Sequence, residues 1–195
     1  MPTQALWVDQ IQSLRDAVRM PVADPLAELF SGPHAAGRQR LQWARRPALG
    51  WLARAVHLPR RSGETEVHVS IGDDDIGQRW DYRVGRQRVV IRQWFDGVFM
   101  TRQIGPLGVT FQVVVGDDAV RLIHVGTSLV GMPVPRRWAP HVRVKAWRRW
   151  DGSVVTAFSV RDRHERLIVR GVSTMRSLVP EYRAREGASV IRLVS

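Results

Sequence analysis

The chain has 195 residues, which is enough for one domain with a sizeable core. Its residues are 44% hydrophobic and 25% charged, a composition typical of a folded globular protein rather than a disordered one. The absence of cysteine excludes disulfides, cysteine-based zinc sites and a thiol nucleophile.

The formal net charge is +12, and Lys145 is the only lysine among the 30 basic residues. So strong a preference for arginine is typical of a genome biased toward arginine codons, but the charge remains physically present. It is concentrated in residues 38–61 and 136–149, which contain no acidic residue. Either a solvated face or a site for a polyanion such as nucleic acid would explain these stretches. The candidate basic surface comprises Arg136, Arg137, Arg143, Lys145, Arg148 and Arg149.

The first 60 residues predict a mainly helical part. Apolar residues at Trp7, Ile11, Leu14 and Val18 follow the spacing of one helical stripe. Two further helices are predicted at 24–30 and 47–58, and the last is expected to cap an open end of a sheet. Alternation between residues 37 and 44 is compatible with one short strand.

From residue 66 to residue 178 the chain alternates apolar and polar residues in short runs separated by glycine and aspartate turns. This spacing is typical of an antiparallel meander. Strands are predicted at 66–71, 79–84, 88–95, 109–115, 120–125, 141–150, 154–160 and 167–178, with a weaker one at 189–194. The segment 131–135 interrupts the run.

The predicted fold class is α+β and mainly β. We expect a large curved antiparallel meander or barrel-like sheet of 8–9 strands capped by two or three N-terminal helices. Closing such a sheet into a barrel removes the exposed strand edges that invite aggregation. One domain, 1–195, is predicted, with a helical part at 1–60, the sheet at 65–178 and a C-terminal extension at 180–195.

Several short motifs carry a family resemblance over residues 37–175. The most recognisable are Gly105-Pro106-Leu107, the segment 129–135, Trp138-Ala139-Pro140 and Asp151-Gly152. On these the chain resembles the bacterial family called domain of unknown function 4166, which has no established activity. The resemblance implies a standalone form of a domain that in relatives is fused behind a saccharopine-dehydrogenase-like nucleotide-binding domain. It therefore suggests a separate reductase as a partner.

Two positions depart from the family pattern. In the resembled family an acidic residue precedes the Gly-Pro-Leu turn, whereas this chain has Arg102-Gln103 before that turn. A second acid lies in the strand ahead of the Asp-Gly turn, where residues 145–150 contain none. If those acids are reactive in relatives, this chain has lost that chemistry.

No catalytic or cofactor signature appears in the sequence. The cluster Asp73-Asp74-Asp75 lacks the spacing of a calcium loop and is interpreted as a hairpin turn. The six histidines show no metal-ligand spacing. Neither a Gly-x-Ser-x-Gly elbow nor a glycine-rich nucleotide loop is present. We therefore predict no metal, no cofactor and no catalytic residues, although whether the chain is an enzyme is left open.

The first functional hypothesis is a non-enzymatic domain that binds an apolar or amphipathic small molecule, including an anionic one, in a cavity of the sheet. Its candidate ligand-binding residues are Trp80, Tyr82, Arg83, Phe111, His124 and Phe158. An alternative is an accessory or catalytic partner of a separate reductase, with His124, Arg83 and Asp81 as candidate groups. A second alternative is polyanion or nucleic-acid binding through the basic surface.

The sequence also bears on location. The first residues lack a basic region followed by an apolar core, and no run of about 18 apolar residues occurs. These features predict a cytoplasmic protein without a transmembrane segment. In strand register Trp147 is expected on the same face as Arg143, Lys145 and Arg149, which would place one large ring on a basic surface.

Overall fold

A computed structural model describes residues 34–44, 62–116 and 119–178. These residues form eleven strands and no helix. The strands are β1 His34–Trp43, β2 Gly63–Asp74, β3 Gly77–Val84, β4 Gln87–Asp96, β5 Phe99–Ile104, β6 Leu107–Val115, β7 Ala119–Leu129, β8 Met132–Pro133, β9 His141–Arg148, β10 Val154–Arg161 and β11 Leu167–Ser177.

Ten of these strands close into an antiparallel barrel. From β1 to β7 each strand pairs with the next along the chain, β7 pairs with β9, and β9, β10 and β11 continue the meander. The pairing of β1 with β11, from Ala35↔Ser177 to Trp43↔Val169, completes the ring. The two-residue strand β8 is an appendage on the end of β7. This pairing removes the two free edges that β1 and β11 would otherwise present.

Alternation along each strand divides the side chains between the barrel interior and the outer face. In β3 the interior residues are Gln78, Trp80, Tyr82 and Val84, whereas Asp81 lies outside. The interior is mainly aliphatic, with Trp80, Met100 and Phe111 among its buried large side chains. Because one face of every strand is apolar, the hydrophobic effect drives this face inward and fixes the register.

The mainly β prediction is confirmed, and the sheet is a closed barrel. The predicted number of strands, 8–9, is wrong, because β5 and β8 were not anticipated and a full strand, β1, forms within residues 1–60. In β5 the inward position between Met100 and Ile104 is occupied by Arg102, so the apolar alternation is broken. The predicted helices and the strand at 189–194 lie outside the described residues.

The described part of the chain also has no helix of the length and apolarity needed to cross a membrane.

The predicted interruption after β7 is present: residues 130–140 form a connection that includes β8. Ala139 in this connection is buried, and the amide of Val130 donates to the carbonyl of Pro106. The connection therefore folds back against one end of the barrel.

Gly37 lies where β1 pairs with β11, and the closed ring depends on it. A Cβ at this position would overlap the carbonyl oxygen of Thr174 and would lie 2.8 Å from the Cα of Met175. We expect Gly37→Ala to reduce the free energy of unfolding by about 2 to 3 kcal/mol, as overpacking does in a tight site. Urea denaturation measures this change.

Gly126→Ala in β7 provides the matched control, since a Cβ there would meet nothing within 4 Å. We expect a change below about 0.5 kcal/mol for that variant, as for an unconstrained position. Equal destabilisation by both substitutions would show that the cost at Gly37 does not come from close packing between β1 and β11.

Candidate functional site

A cavity of about 220 Å³ lies inside the barrel. Its wall combines aliphatic and aromatic side chains from most strands with a few polar groups. Within the described residues Arg102 is the only charged side chain in the lining, and no carboxylate faces the cavity. The main lining residues are Trp80, Tyr82, Val89, Ile91, Arg102, Ile104, Val109, Phe111, Val120, Leu122, Val142, Val144, Thr156, Phe158, Val169, Ser173 and Met175.

Arg102 enters the interior because it follows Met100 by two residues in β5 and therefore shares its inward orientation. Its Nε donates to Oε1 of Gln93 at 2.8 Å, and its guanidinium carbon lies 5.6 Å from the ring centre of Trp80. It forms no ion pair with a described carboxylate. Its terminal nitrogens make no hydrogen bond to a described residue, so they are available to a molecule in the cavity.

Tyr82 lies beside this arginine. Its ring stacks on Trp80 with centroids 5.9 Å apart and planes 21° apart. Burial raises the pKa of the Tyr82 phenol, and the positive charge of Arg102 partly opposes this increase. The phenol therefore remains protonated at neutral pH, and its hydroxyl makes no hydrogen bond to a described residue. Tyr82 and Arg102 together present several free donors to the cavity.

Arg102 carries its charge on the inner side of the barrel, where the residue is half-buried. Burial lowers the pKa of its guanidinium, and the neighbouring Tyr82 partly counters this effect. Arginine nevertheless stays protonated at neutral pH, because its ordinary pKa is far above that range. A buried cation without a counter-ion destabilises a fold, since the lost hydration is not replaced. An anion in the cavity would supply the missing charge.

The six predicted ligand-binding residues do not form one group. Trp80, Tyr82, Phe111 and Phe158 line the interior cavity. Arg83, whose Cα partners are His68 in β2 and Arg88 in β4, lies on the outer face of the barrel. It is therefore separated from the cavity by the sheet itself.

The three groups suggested for a catalytic role are not brought together either. Asp81 and Arg83 share the outer face of β3, where Asp81 accepts a hydrogen bond from Nη2 of Arg88 at 2.6 Å. This bond, outweighing the opposing effect of burial, holds the pKa of Asp81 below its ordinary value. His124 lies in β7, which pairs with β6 and β9 and not with β3. The described structure gives these three residues no common site.

His124 lies at the position where β7 stops pairing with β9. Its Nε2 is 2.9 Å from Oγ1 of Thr127, and its ring contacts Phe111 and His141 edge-on, with centroids 6.3 and 6.4 Å away. Burial lowers the pKa of His124; a hydrogen bond to the backbone of Gly126 partly opposes this decrease, and the charge of His141 adds a smaller lowering effect. The neutral imidazole is therefore favoured in the folded protein.

A second concavity, of about 1250 Å³, lies on the outer side of strands β7, β9, β10, β11 and β1, and we call it the basic groove. Its apolar floor includes Ile123, Val125 and Val172, which are 50%, 43% and 46% exposed. No acidic residue occurs in its described lining. The cations of the groove are Arg40, Arg121, Arg136, Arg143, Lys145, Arg161 and Arg170.

The predicted basic surface is divided by the structure. Arg136, Arg143 and Lys145 line the basic groove, whereas Arg137, Arg148 and Arg149 do not. Arg137 instead lies over the ring of Trp138 at 4.8 Å. Trp147 shares the outer face of β9 with Arg143 and Lys145, and the Lys145 ammonium is 5.7 Å from its ring centre. Binding of a polyanion here stays a prediction.

The sequence prediction of the site omitted Arg102 and Gln93, the two polar side chains that meet in the interior. Arg102 was noted in the sequence only as a departure from the resembled family's pattern and was given no place in the site. Gln93 is 1% exposed, and its Nε2 has no partner within the described residues. Gln93 follows Ile91 by two residues in β4, so the alternation of inward and outward residues along that strand could have predicted its inward orientation.

Comparison with known proteins identifies no family for this chain. No family model matches it, and no curated protein matches it either. One solved structure that matches part of the chain is a protein with unknown function from the DUF3598 family of Nostoc punctiforme. The identity is 13%, the TM-score is 0.48, and the match covers 75% of this chain and 47% of that one. The chain thus spans about half the length of that protein, and the resemblance to domain of unknown function 4166 stays a prediction.

The lowered pKa of His124 predicts a pH-dependent stability. Below the ordinary histidine pKa of 6.5 the unfolded chain binds a proton that the folded chain resists, so stability is lost as pH falls below that value. We expect His124→Gln to show a smaller decrease in Tm between pH 7.5 and pH 5.5 than the unsubstituted protein. Thermal denaturation followed by circular dichroism at the two pH values measures it.

His68→Gln, at an exposed histidine in β2, serves as the control. It should retain the full pH dependence of the unsubstituted protein, because its side chain lies outside the barrel. An undiminished decrease in His124→Gln would show that His124 is not the group responsible.

Proposed function

We propose that the barrel is a non-enzymatic binding domain for a small amphipathic molecule with an anionic group. The anion pairs with Arg102, and the apolar remainder occupies the interior cavity. One observation carries the proposal: the interior cavity is lined by a half-buried guanidinium whose terminal nitrogens make no hydrogen bond and have no carboxylate partner among the described residues. Such an arrangement is unfavourable without a ligand and favourable with one.

A carboxylate is the anion that fits this geometry best. The guanidinium presents donors in a planar fork that matches the two oxygens of a carboxylate. Because Nε of Arg102 is already held by Gln93, the terminal nitrogens are the donors that remain for a ligand. The Tyr82 hydroxyl supplies a neutral donor beside them. A ligand with one carboxylate would satisfy these groups without introducing a second buried charge.

The cavity volume limits the size of the apolar part. About 220 Å³ is space for about seven water-sized groups at roughly 30 Å³ each. The wall beyond Arg102 is formed mainly by valine, isoleucine and aromatic side chains, which offer no further charge. The best ligand class is therefore a short aliphatic or single-ring monocarboxylate rather than a long-chain fatty acid.

A series of linear carboxylates tests the size limit. We expect affinity to increase about fourfold for each added methylene, the effect of about 0.8 kcal/mol of apolar burial. The increase should stop at about six to eight carbons, when the cavity is full. Isothermal titration calorimetry from butanoate to dodecanoate measures this, and a continued increase to dodecanoate would contradict an enclosed interior site.

Arg102→Met tests the anion contact, since methionine is unbranched and apolar. Loss of a charge-assisted hydrogen bond of about 2 kcal/mol predicts at least about 30-fold weaker binding of hexanoate. Arg83→Met is the matched control, because it removes the same charge from the outer face and should leave affinity unchanged. Equal loss in both variants would show that net charge, and not the interior arginine, holds the ligand.

Stability distinguishes a binding role for Arg102 from a structural one. The double variant Arg102→Met with Gln93→Leu removes both partners of the interior hydrogen bond and leaves no orphaned acceptor. We expect the ligand-free double variant to have a Tm equal to or above that of the unsubstituted protein, while hexanoate binding is lost. A large decrease in Tm would assign the pair to the fold instead.

A further inference from the structure

The ladder between β7 and β9 is shorter than either strand. Paired residues run from Ala119↔Trp147 to Ile123↔Arg143, and the ladder then stops. Beyond this point β7 continues to Leu129 with β6 and β8 as its partners. The two strands therefore separate at His124 and Val142, and this gap in the ladder is here called the seam.

The seam lies between the interior cavity and the basic groove. Four side chains, those of Leu122, Val142, Val144 and Phe158, line both concavities. They come from β7, β9 and β10 on either side of the seam. The two concavities thus share a wall at the end of the β7–β9 ladder: Leu122 and Val144 form one of its last pairs, and Val142 lies just beyond it.

The groove on the outer side of this wall is strongly cationic. Its seven Arg and Lys side chains face no acidic residue within the described lining. The carboxylate of Glu165 contacts the rim, at 3.7 Å from Nη2 of Arg143 and 3.5 Å from Nδ1 of His141. Between the cations lies the apolar floor of Ile123, Val125 and Val172.

We propose that the seam is the entrance of the barrel and that the basic groove collects its anionic ligand. This inference rests on the proposed function of the interior cavity. A molecule with a carboxylate and a short apolar body fits both parts of the groove, because cations and exposed aliphatic side chains alternate there. The same molecule then crosses the shared wall at the position of His124 and Val142.

The charges of the groove and the charge of Arg102 have separable effects on kinetics. A cationic groove raises the local concentration of an anion and hence the association rate, in a manner that salt suppresses. A buried charge pair, in contrast, mainly sets the dissociation rate. Substitutions in the groove should therefore change association, and substitution of Arg102 should change dissociation.

Stopped-flow mixing with 4-nitrobenzoate, an aromatic carboxylate that quenches tryptophan, measures both rates. For Arg40→Gln with Arg121→Gln we expect an association rate at least about threefold lower at low ionic strength and unchanged at high salt. The dissociation rate should stay the same. Arg83→Gln with Arg86→Gln removes two charges from the other side of the barrel and should alter neither rate.

A bulky substitution at the entrance gives a second signature without any change of charge. Val125 is the extra residue in β7 where the β6–β7 register shifts, and it lines the groove. Val125→Trp should lower the association and dissociation rates by the same factor, leaving Kd unchanged. Val114→Trp, at an exposed outer position of β6, is the control and should leave both rates as they are.

The two proposals fail in different ways. If 4-nitrobenzoate binds equally well to the protein and to Arg102→Met, the interior site is wrong. If binding depends on Arg102 but Val125→Trp and Val114→Trp have the same rates, the interior site stands and the entrance is wrong. If the groove variant raises the dissociation rate instead, the groove is itself a binding site and not a route.

Discussion

The pairing of β1 with β11 is the constraint on which the rest of the structure depends. Every other pair in the ring joins strands that are consecutive in the barrel meander, so only this pair connects the two ends of the sheet. It requires close approach at Gly37, where any side chain would collide with the backbone of β11. Once the ring is closed, each strand has a fixed inner face, and the positions of all interior side chains follow from alternation.

Closure with ten strands creates more interior space than the side chains fill. Valine, which dominates the lining, is short relative to the radius that ten strands impose, and Gly171 leaves room for the ring of Phe158 across β11. The remaining cavity is where the structure departs from a packed core. Arg102 is placed in that space because it alternates in β5 with two inward neighbours, the buried Met100 and the half-buried Ile104.

Much of the sheet was predictable from the sequence, because alternation of apolar and polar residues is a local property. The strands from β2 to β4 and from β9 to β11 show it clearly, with turns marked by glycine and aspartate. The strand β5 was not predictable by this criterion. Its inward position at Arg102 is polar, so the residues of β5 do not alternate between apolar and polar. The strand carrying the candidate site was therefore the one that the pattern missed.

The candidate site was predictable in part for the same physical reason. Trp80, Tyr82, Phe111 and Phe158 were found because large apolar residues at alternating positions belong on the inner face. Arg83 was expected beside them, but alternation places it outside once the register of β3 is known. Which concavity remains empty, and which charge is left without a partner, depends on how all ten strands meet. No local pattern contains that information.

The net charge of +12 is not distributed evenly over the outer surface of the barrel. On the outer face of β3 and β4, Arg79 and Arg88 pair with Asp81, and Arg92 pairs with Asp74. The cations of the basic groove include Arg40, Arg121 and Arg136, which pair with no described carboxylate. A bias toward arginine codons would enrich both regions alike, but it would not remove acids from one of them. No acidic residue lines the groove within the described residues, and the carboxylate of Glu165 reaches only its rim, at His141 and Arg143. The cations therefore outnumber the acids there, and an incoming anion is attracted on its way to Arg102.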